Sequence, residues 1–171
     1  MRSWLALRAI FFLLLLPGMV AGYIPLRILQ STGQMRVPGL SLALMAAAVI
    51  AATGVAVLLK CIWDFFATGK GTLAPVDPPK QLVVGGLYRY TRNPMYNGVF
   101  AILIGEAWLF TSVWLIGYAL AVLGIFHLFV VLYEEPALEK SFGASYRIYR
   151  HAVPRWGFTV HPFRENTAST H

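Results

Sequence analysis

Two carboxylates stand side by side at Glu134-Glu135, and well upstream runs Gly85-Gly86-Leu87-Tyr88-Arg89-Tyr90-Thr91-Arg92-Asn93-Pro94-Met95-Tyr96-Asn97-Gly98. Together these residue types suit a zwitterionic ligand that carries a carboxylate, an ammonium and a cationic centre. Carboxylates hold the cations through charge-assisted hydrogen bonds, and Arg or the free amides of a helix start hold the anion. Tyrosine faces attract a sulfonium by cation–π interaction. Asn93-Pro94 reads as such a helix start, because Asn is a favoured N-cap and Pro at the first helical position gives up an N–H that would be unpaired anyway. Glu134-Glu135 closes a long apolar run, where the helix dipole favours cations over anions. Local violations of this kind tend to mark function. His127, Val131 and Glu134 recur at i, i+4 and i+7, which places His127 and Glu134 on one helix face. The alternative is a membrane-interface belt, since Tyr and Arg gather at that boundary in proteins with no chemistry there.

Other chemistries find little support. No Ser or Cys has a His and acid arrangement for nucleophilic catalysis. His127, His151, His161 and His171 lack metal-ligand spacing, so no metal is expected. There is no phosphate-binding loop and no dinucleotide fingerprint. The single cysteine, Cys61, precludes an internal disulfide and suits packing in its apolar surroundings.

The elements that must position these groups follow from composition. Of 171 residues 58% are hydrophobic and only 12% charged, about half the charge of an ordinary soluble domain. This predicts an all-α integral membrane protein. Apolar blocks at residues 9–29 and 39–63 each suffice for one span, and the long apolar stretch from Pro94 divides into two at a turn near Thr111-Ser112, giving helices at 94–111 and 113–135. Pro17 and Gly18 are expected to bend the first helix, and Val20-Ala21-Gly22 resembles a signal-peptidase site, so a cleaved leader is the alternative to a retained helix. Gly54, with Ala46–Ala48 and Ala51-Ala52, offers a close-packing face. Glu106 lies inside the third span, facing a cavity or protonated and hydrogen-bonded within the bundle. Pro136 should kink or interrupt the last helix. Beyond it Leu138, Phe142, Tyr146 and Tyr149 line one face of an amphipathic helix expected to lie in the membrane interface.

The net charge of +7 does not indicate nucleic acid, because the basic residues flank apolar blocks instead of forming a run. With four spans, twelve of the fourteen Lys and Arg fall on one side and only Arg27 and Arg36 on the other. That asymmetry predicts a multi-pass protein with both termini cytoplasmic. It also brings the Tyr/Arg stretch, the paired carboxylates and the amphipathic tail to one membrane face. The organisation expected is a two-helix membrane segment over 1–63, a catalytic region over 64–157 and a tail over 158–171, in one structural domain.

Arg92-Asn93-Pro94-Met95-Tyr96-Asn97-Gly98, an apolar hairpin and then Glu134-Glu135 resemble the signature of the isoprenylcysteine carboxyl methyltransferase and phospholipid methyltransferase superfamily. Phe142-Gly143, Tyr146, Tyr149 and Val153-Pro154-Arg155 are similar to its C-terminal pattern, and Asp64 to Pro79 resembles a loop of bacterial members. The resemblance covers about residues 64–157 and none of the first two helices. It implies a bacterial inner-membrane enzyme that uses S-adenosylmethionine to methylate a carboxylate or amine on a lipid-like or isoprenylated acceptor. By the resemblance Tyr96, Gly98, Glu134 and Glu135 bind the cofactor, with Arg92 nearby and Asn93 where the family has His. Tyr88, Tyr90, Pro94 and His127 complete the expected cofactor site, and Glu134, Glu135 and Arg92 are the expected catalytic groups. Asn keeps a donor and an acceptor but cannot become cationic. Two other classes stay open: a membrane reductase of the same superfamily using NADPH, and a non-catalytic helical module.

Overall fold

A computed structural model describes residues 17–36, 39–68 and 82–164. Every regular element among them is helical: α1 (Ile24–Thr32), α2 (Leu42–Thr68), α3 (Pro94–Leu109), α4 (Val113–Phe129) and α5 (Glu135–Ala152). A π turn, Met19–Tyr23, leads into α1, a second, Val130–Glu134, joins α4 to α5, and a 3-10 turn, Gly86–Arg89, precedes α3. Residues 69–81, which include most of the Asp64–Pro79 stretch, lie outside the described residues, as does the tail beyond Arg164.

Two helices among the described residues are long and apolar enough to cross a membrane, α2 over Leu42–Asp64 and the helix that begins at Val113. The expected four spans are thus met by two on this criterion. At 1.5 Å per residue, the 16 residues of α3 reach only about 24 Å, short of a hydrocarbon core of about 30 Å. The apolar part of the second long helix runs from Val113 to Leu132, and Tyr133-Glu134-Glu135 lies beyond it.

Between helices in lipid there is little hydrophobic driving force, so close backbone packing must hold them. A Cβ on Gly54 would lie 2.6 Å from the carbonyl oxygen of Gly98, and one on Gly105 would lie 2.7 Å from Cβ of Ala51. α2 and α3 therefore meet backbone to backbone, along the small-residue face expected from Ala47, Ala51 and Gly54. Leu58, Val99, Ile102, Leu103, Ala119 and Val122 form the core beside this crossing.

Both π turns answer a proline. Pro25 and Pro136 have no N–H to give to the preceding turn. In each case the residue before the proline donates five residues back instead of four, Ile24 to the Met19 carbonyl and Glu135 to the Val130 carbonyl. The helix accordingly continues through Pro136 by way of a π turn, the milder of the two outcomes expected there, and does not end. The first irregularity falls on Met19–Tyr23, while Gly18 stays in the right-handed helical region instead of bending the chain there. The shift frees the Val20 carbonyl, which accepts from the Tyr118 hydroxyl at 2.9 Å. The hairpin between α3 and α4 sits where the sequence puts it: Thr111 takes a positive φ of 50°, and buried Ser112 caps α4 by accepting from the Leu115 amide at 3.3 Å.

The apolar face of α5 is also the expected one, but its use differs. Leu138, Phe142, Tyr146 and Tyr149 pack on Leu82, Val84, Val153 and Phe163 of the same chain. The stripe read as lipid-facing is spent on intramolecular packing. The helix breaks at Gly143, whose φ of 52° and ψ of −119° suit a residue with no Cβ.

Candidate functional site

Two segments, residues 89–92 and 154–163, are tied together by their backbones. The Arg92 amide donates to the Pro154 carbonyl, Thr159 to Tyr90 and Phe163 to Arg89, each at 2.9 Å, and Arg89 Nε adds a bond to the Phe163 carbonyl at 2.8 Å. This brings Arg155 over the entry to α3. Asn93 occupies the expected N-cap position, but its side chain makes no capping bond. Its Nδ2 donates instead to the Arg155 carbonyl at 3.1 Å. Arg155 then grips Glu135 with both ends of its fork, Nε to Oε1 at 2.6 Å and Nη2 to Oε2 at 2.9 Å. Arg92 Nη1 donates to the same Oε1 at 2.8 Å and to the Tyr146 hydroxyl at 3.2 Å. Burial works to raise the Glu135 carboxyl, but the Arg155 hydrogen bonds and the charges of Arg92 and Arg155 outweigh it and hold the group below its ordinary value.

Glu134 has a different environment. Among the described residues its one hydrogen bond comes from the Tyr96 hydroxyl, 3.3 Å from Oε2. Burial raises its carboxyl above the ordinary value, the Tyr96 bond opposes that rise and the adjacent Glu135 adds to it. Tyr88 lies within electrostatic reach of both Glu134 and Tyr96; burial above all keeps its phenol protonated far beyond neutral pH. Tyr149 fixes the Tyr88 backbone by donating to its carbonyl at 2.7 Å. The adjacent carboxylates are thus an ion-paired one and one with unused acceptor capacity.

Tyr96 links this centre to an aromatic wall. Its ring is 4.6 Å from that of Phe126 and 6.4 Å from that of Trp156. Trp156 donates from Nε1 to His127 Nδ1 at 3.1 Å. From this wall an open groove of about 870 Å³ runs between α3 and α4, polar only where Asn97, His127 and Trp156 line it and apolar along Ile104, Leu120 and Leu128.

Of the expected site residues, Tyr88, Tyr96 and Glu134 form one group, and Arg92, Asn93 and Glu135 form the clamp beside it. His127 joins through Trp156. Tyr90 contributes a backbone acceptor. Pro94 is buried, and the Gly98 face is filled by Gly54 and Leu58 of α2, so packing accounts for both residues. Arg155, Trp156, Tyr146 and Tyr149 are positions in or beside the candidate site that the site assignment from sequence left out. The signal for them was a basic and aromatic cluster closing an amphipathic helix on the same membrane face.

The role of Asn93 sets a test. A neutral imidazole can also donate an N–H, so Asn93→His should keep the Arg155 bond and the parent melting temperature. Asn93→Ala should cost about 1 kcal/mol, and Asn93→Asp more, because it sets an acceptor against a carbonyl. Thermal unfolding in detergent measures the order; Asp equal to the parent would return Asn93 to the role of a simple cap.

A family model described as phospholipid methyltransferase matches residues 41–145. The match begins at the start of α2, so the similarity reaches further toward the N-terminus than the motifs indicated. No curated protein and no solved structure matches the chain.

Proposed function

The chain belongs to the phospholipid methyltransferase family, and from that premise we propose that it is an integral-membrane, S-adenosylmethionine-dependent methyltransferase acting on a lipid-like or isoprenylated acceptor at the cytoplasmic interface. The observation that carries this is Glu134, a half-buried carboxylate with acceptor capacity to spare, bonded by Tyr96, whose ring meets Trp156 at the polar end of an apolar groove.

The donor set fits the cofactor. Glu134 offers an anion to its ammonium, and tyrosine faces suit its sulfonium. Arg92 Nε is buried with no hydrogen-bond partner among the described residues, an N–H suited to a carboxylate. When bound, S-adenosylmethionine supplies an activated methyl group. The protein's part is to hold the ligand by Glu134 and Arg92, keep water out with Tyr96 and Trp156, and align the acceptor from the groove. A carboxylate acceptor needs no base at neutral pH. An amine must lose a proton, and Glu134, its carboxyl raised by burial, is the better placed of the two glutamates to take it. Glu135 and Asn93 act through Arg155, as positioning groups. In this reading the catalytic region is 64–157, with Ile50 of α2 adding a wall to the groove.

Calorimetric titration of the detergent-solubilised protein with S-adenosylmethionine and, separately, NADPH tests the assignment. Binding of the first alone is expected; binding of NADPH alone would indicate a reductase, and of neither a non-catalytic module. The four-span arrangement with cytoplasmic termini is part of the proposal. A periplasm-active reporter fused to the C-terminus should stay silent, and a strong signal would mean three spans or a cleaved leader.

A further inference from the structure

Two kinds of glycine occur in the membrane helices. Gly54, Gly98 and Gly105 lie where a Cβ would press on the neighbouring helix. A Cβ on Gly124, inside α4, would meet no atom of a neighbouring element within 4 Å among the described residues, yet the residue lines the groove together with Ala101 of α3. A glycine inside a helix costs about 1 kcal/mol relative to Ala, and no helix contact among the described residues accounts for this one. Its surroundings are large and apolar: Leu120, Ile125 and Leu128 are all exposed.

We propose that Gly124 determines acceptor specificity: its missing side chain leaves the space taken by one aliphatic or prenyl chain, whose polar head lies at the His127–Trp156 end of the groove. This rests on the methyltransferase reading for its purpose but not for its geometry. The groove is apolar along its length and polar at one end, the pattern of an amphiphile. That end is continuous with the candidate site, because Trp156 touches both His127 and the Tyr96 ring beside Glu134. A chain lying along Gly124 would therefore deliver its head to the centre where the cofactor is held. Bulk at position 124 would shorten the groove without disturbing the helix pair behind it.

The experiment uses the full-length protein in detergent with two photoreactive probes, a diazirine-bearing single-chain fatty-acyl amphiphile and a diazirine-bearing farnesyl amphiphile. Crosslinks are mapped by mass spectrometry, and S-adenosylmethionine affinity is measured in parallel. At least one probe should label the α4 segment around Gly124, and which one labels it distinguishes acyl from prenyl chains. Gly124→Leu should cut that labelling about tenfold or more, with melting temperature and cofactor affinity unchanged. Gly124→Ala should give a smaller loss of the same sign and covers the case of a poorly folding Leu variant. Gly117→Leu is the control, since Gly117 is equally open but off the groove, and labelling there should stay within about twofold of the parent. Labelling that ignores Gly124→Leu, falls equally in Gly117→Leu, or never reaches the groove overturns the proposal. Groove labelling that depends on Gly124 in a protein that binds no S-adenosylmethionine would uphold the chain site and overturn the methyltransferase reading instead.

Discussion

Glu135→Gln should destabilise the protein by about 3–5 kcal/mol, the usual cost of removing one partner from a buried ion pair. The side chains of Glu135 and Arg92 are only 9% and 10% exposed, so the Arg92 charge would be left in place without its counterion. Arg155 would lose its fork partner as well, and with it the anchor that holds residues 153–163 over the site. A pH signature accompanies this. Because the folded-state carboxyl lies below its ordinary value of 4.5, its contribution is fully present above that value and is lost as pH falls through the lowered one. Melting temperature in detergent, followed from about pH 7 to about pH 3, should therefore decline on the acid side in the parent and decline less in Glu135→Gln. A variant as stable as the parent that no longer binds S-adenosylmethionine would make Glu135 a cofactor ligand instead of a clamp.

Glu134→Gln should do the reverse. Its 3.3 Å bond from Tyr96 can be kept by an amide oxygen, so the fold should barely change. The charge offered to the cofactor's ammonium is lost, however, and affinity should fall by about 1.5–3 kcal/mol, the worth of a hydrogen bond to a charged group. Tyr96→Phe removes only the orienting hydroxyl and should weaken binding less. Calorimetry on both variants, beside their melting temperatures, separates the two carboxylates. Equal affinity in the parent and Glu134→Gln would take Glu134 out of the site.

Much of the frame was legible because it rests on local pattern. The Thr111-Ser112 turn stands out between apolar runs, the Ala47–Ala51–Gly54 face follows from residue size, and Leu138, Phe142, Tyr146 and Tyr149 announce the buried face of α5. What that face packs against was not legible, since an amphipathic stripe looks the same whether it meets lipid or protein. The division of labour between Glu134 and Glu135 was hidden for a related reason. Successive residues on a helix point about 100° apart, so the two must differ, but which one meets a cation depends on Arg155, returned to the site by backbone pairing of residues 89–92 with 154–163. Asn93 gave a misleading local signal: its type suits a cap, while its side chain serves a carbonyl 62 residues away.

The π turn at Val130–Glu134 acts as a phase adjuster between two halves of one long helix. Upstream, the angular position of each residue must satisfy lipid and the groove; downstream, it must satisfy the clamp. An uninterrupted α-helix would lock those two demands into a single rotation, so that improving one would misalign the other. The extra residue of the turn releases that constraint and gives the membrane half and the site half independent zero points. Loss of one residue anywhere in the turn would twist α5 by about 100° and carry Glu135 away from both arginines, although every side chain of the site would still be present in the chain.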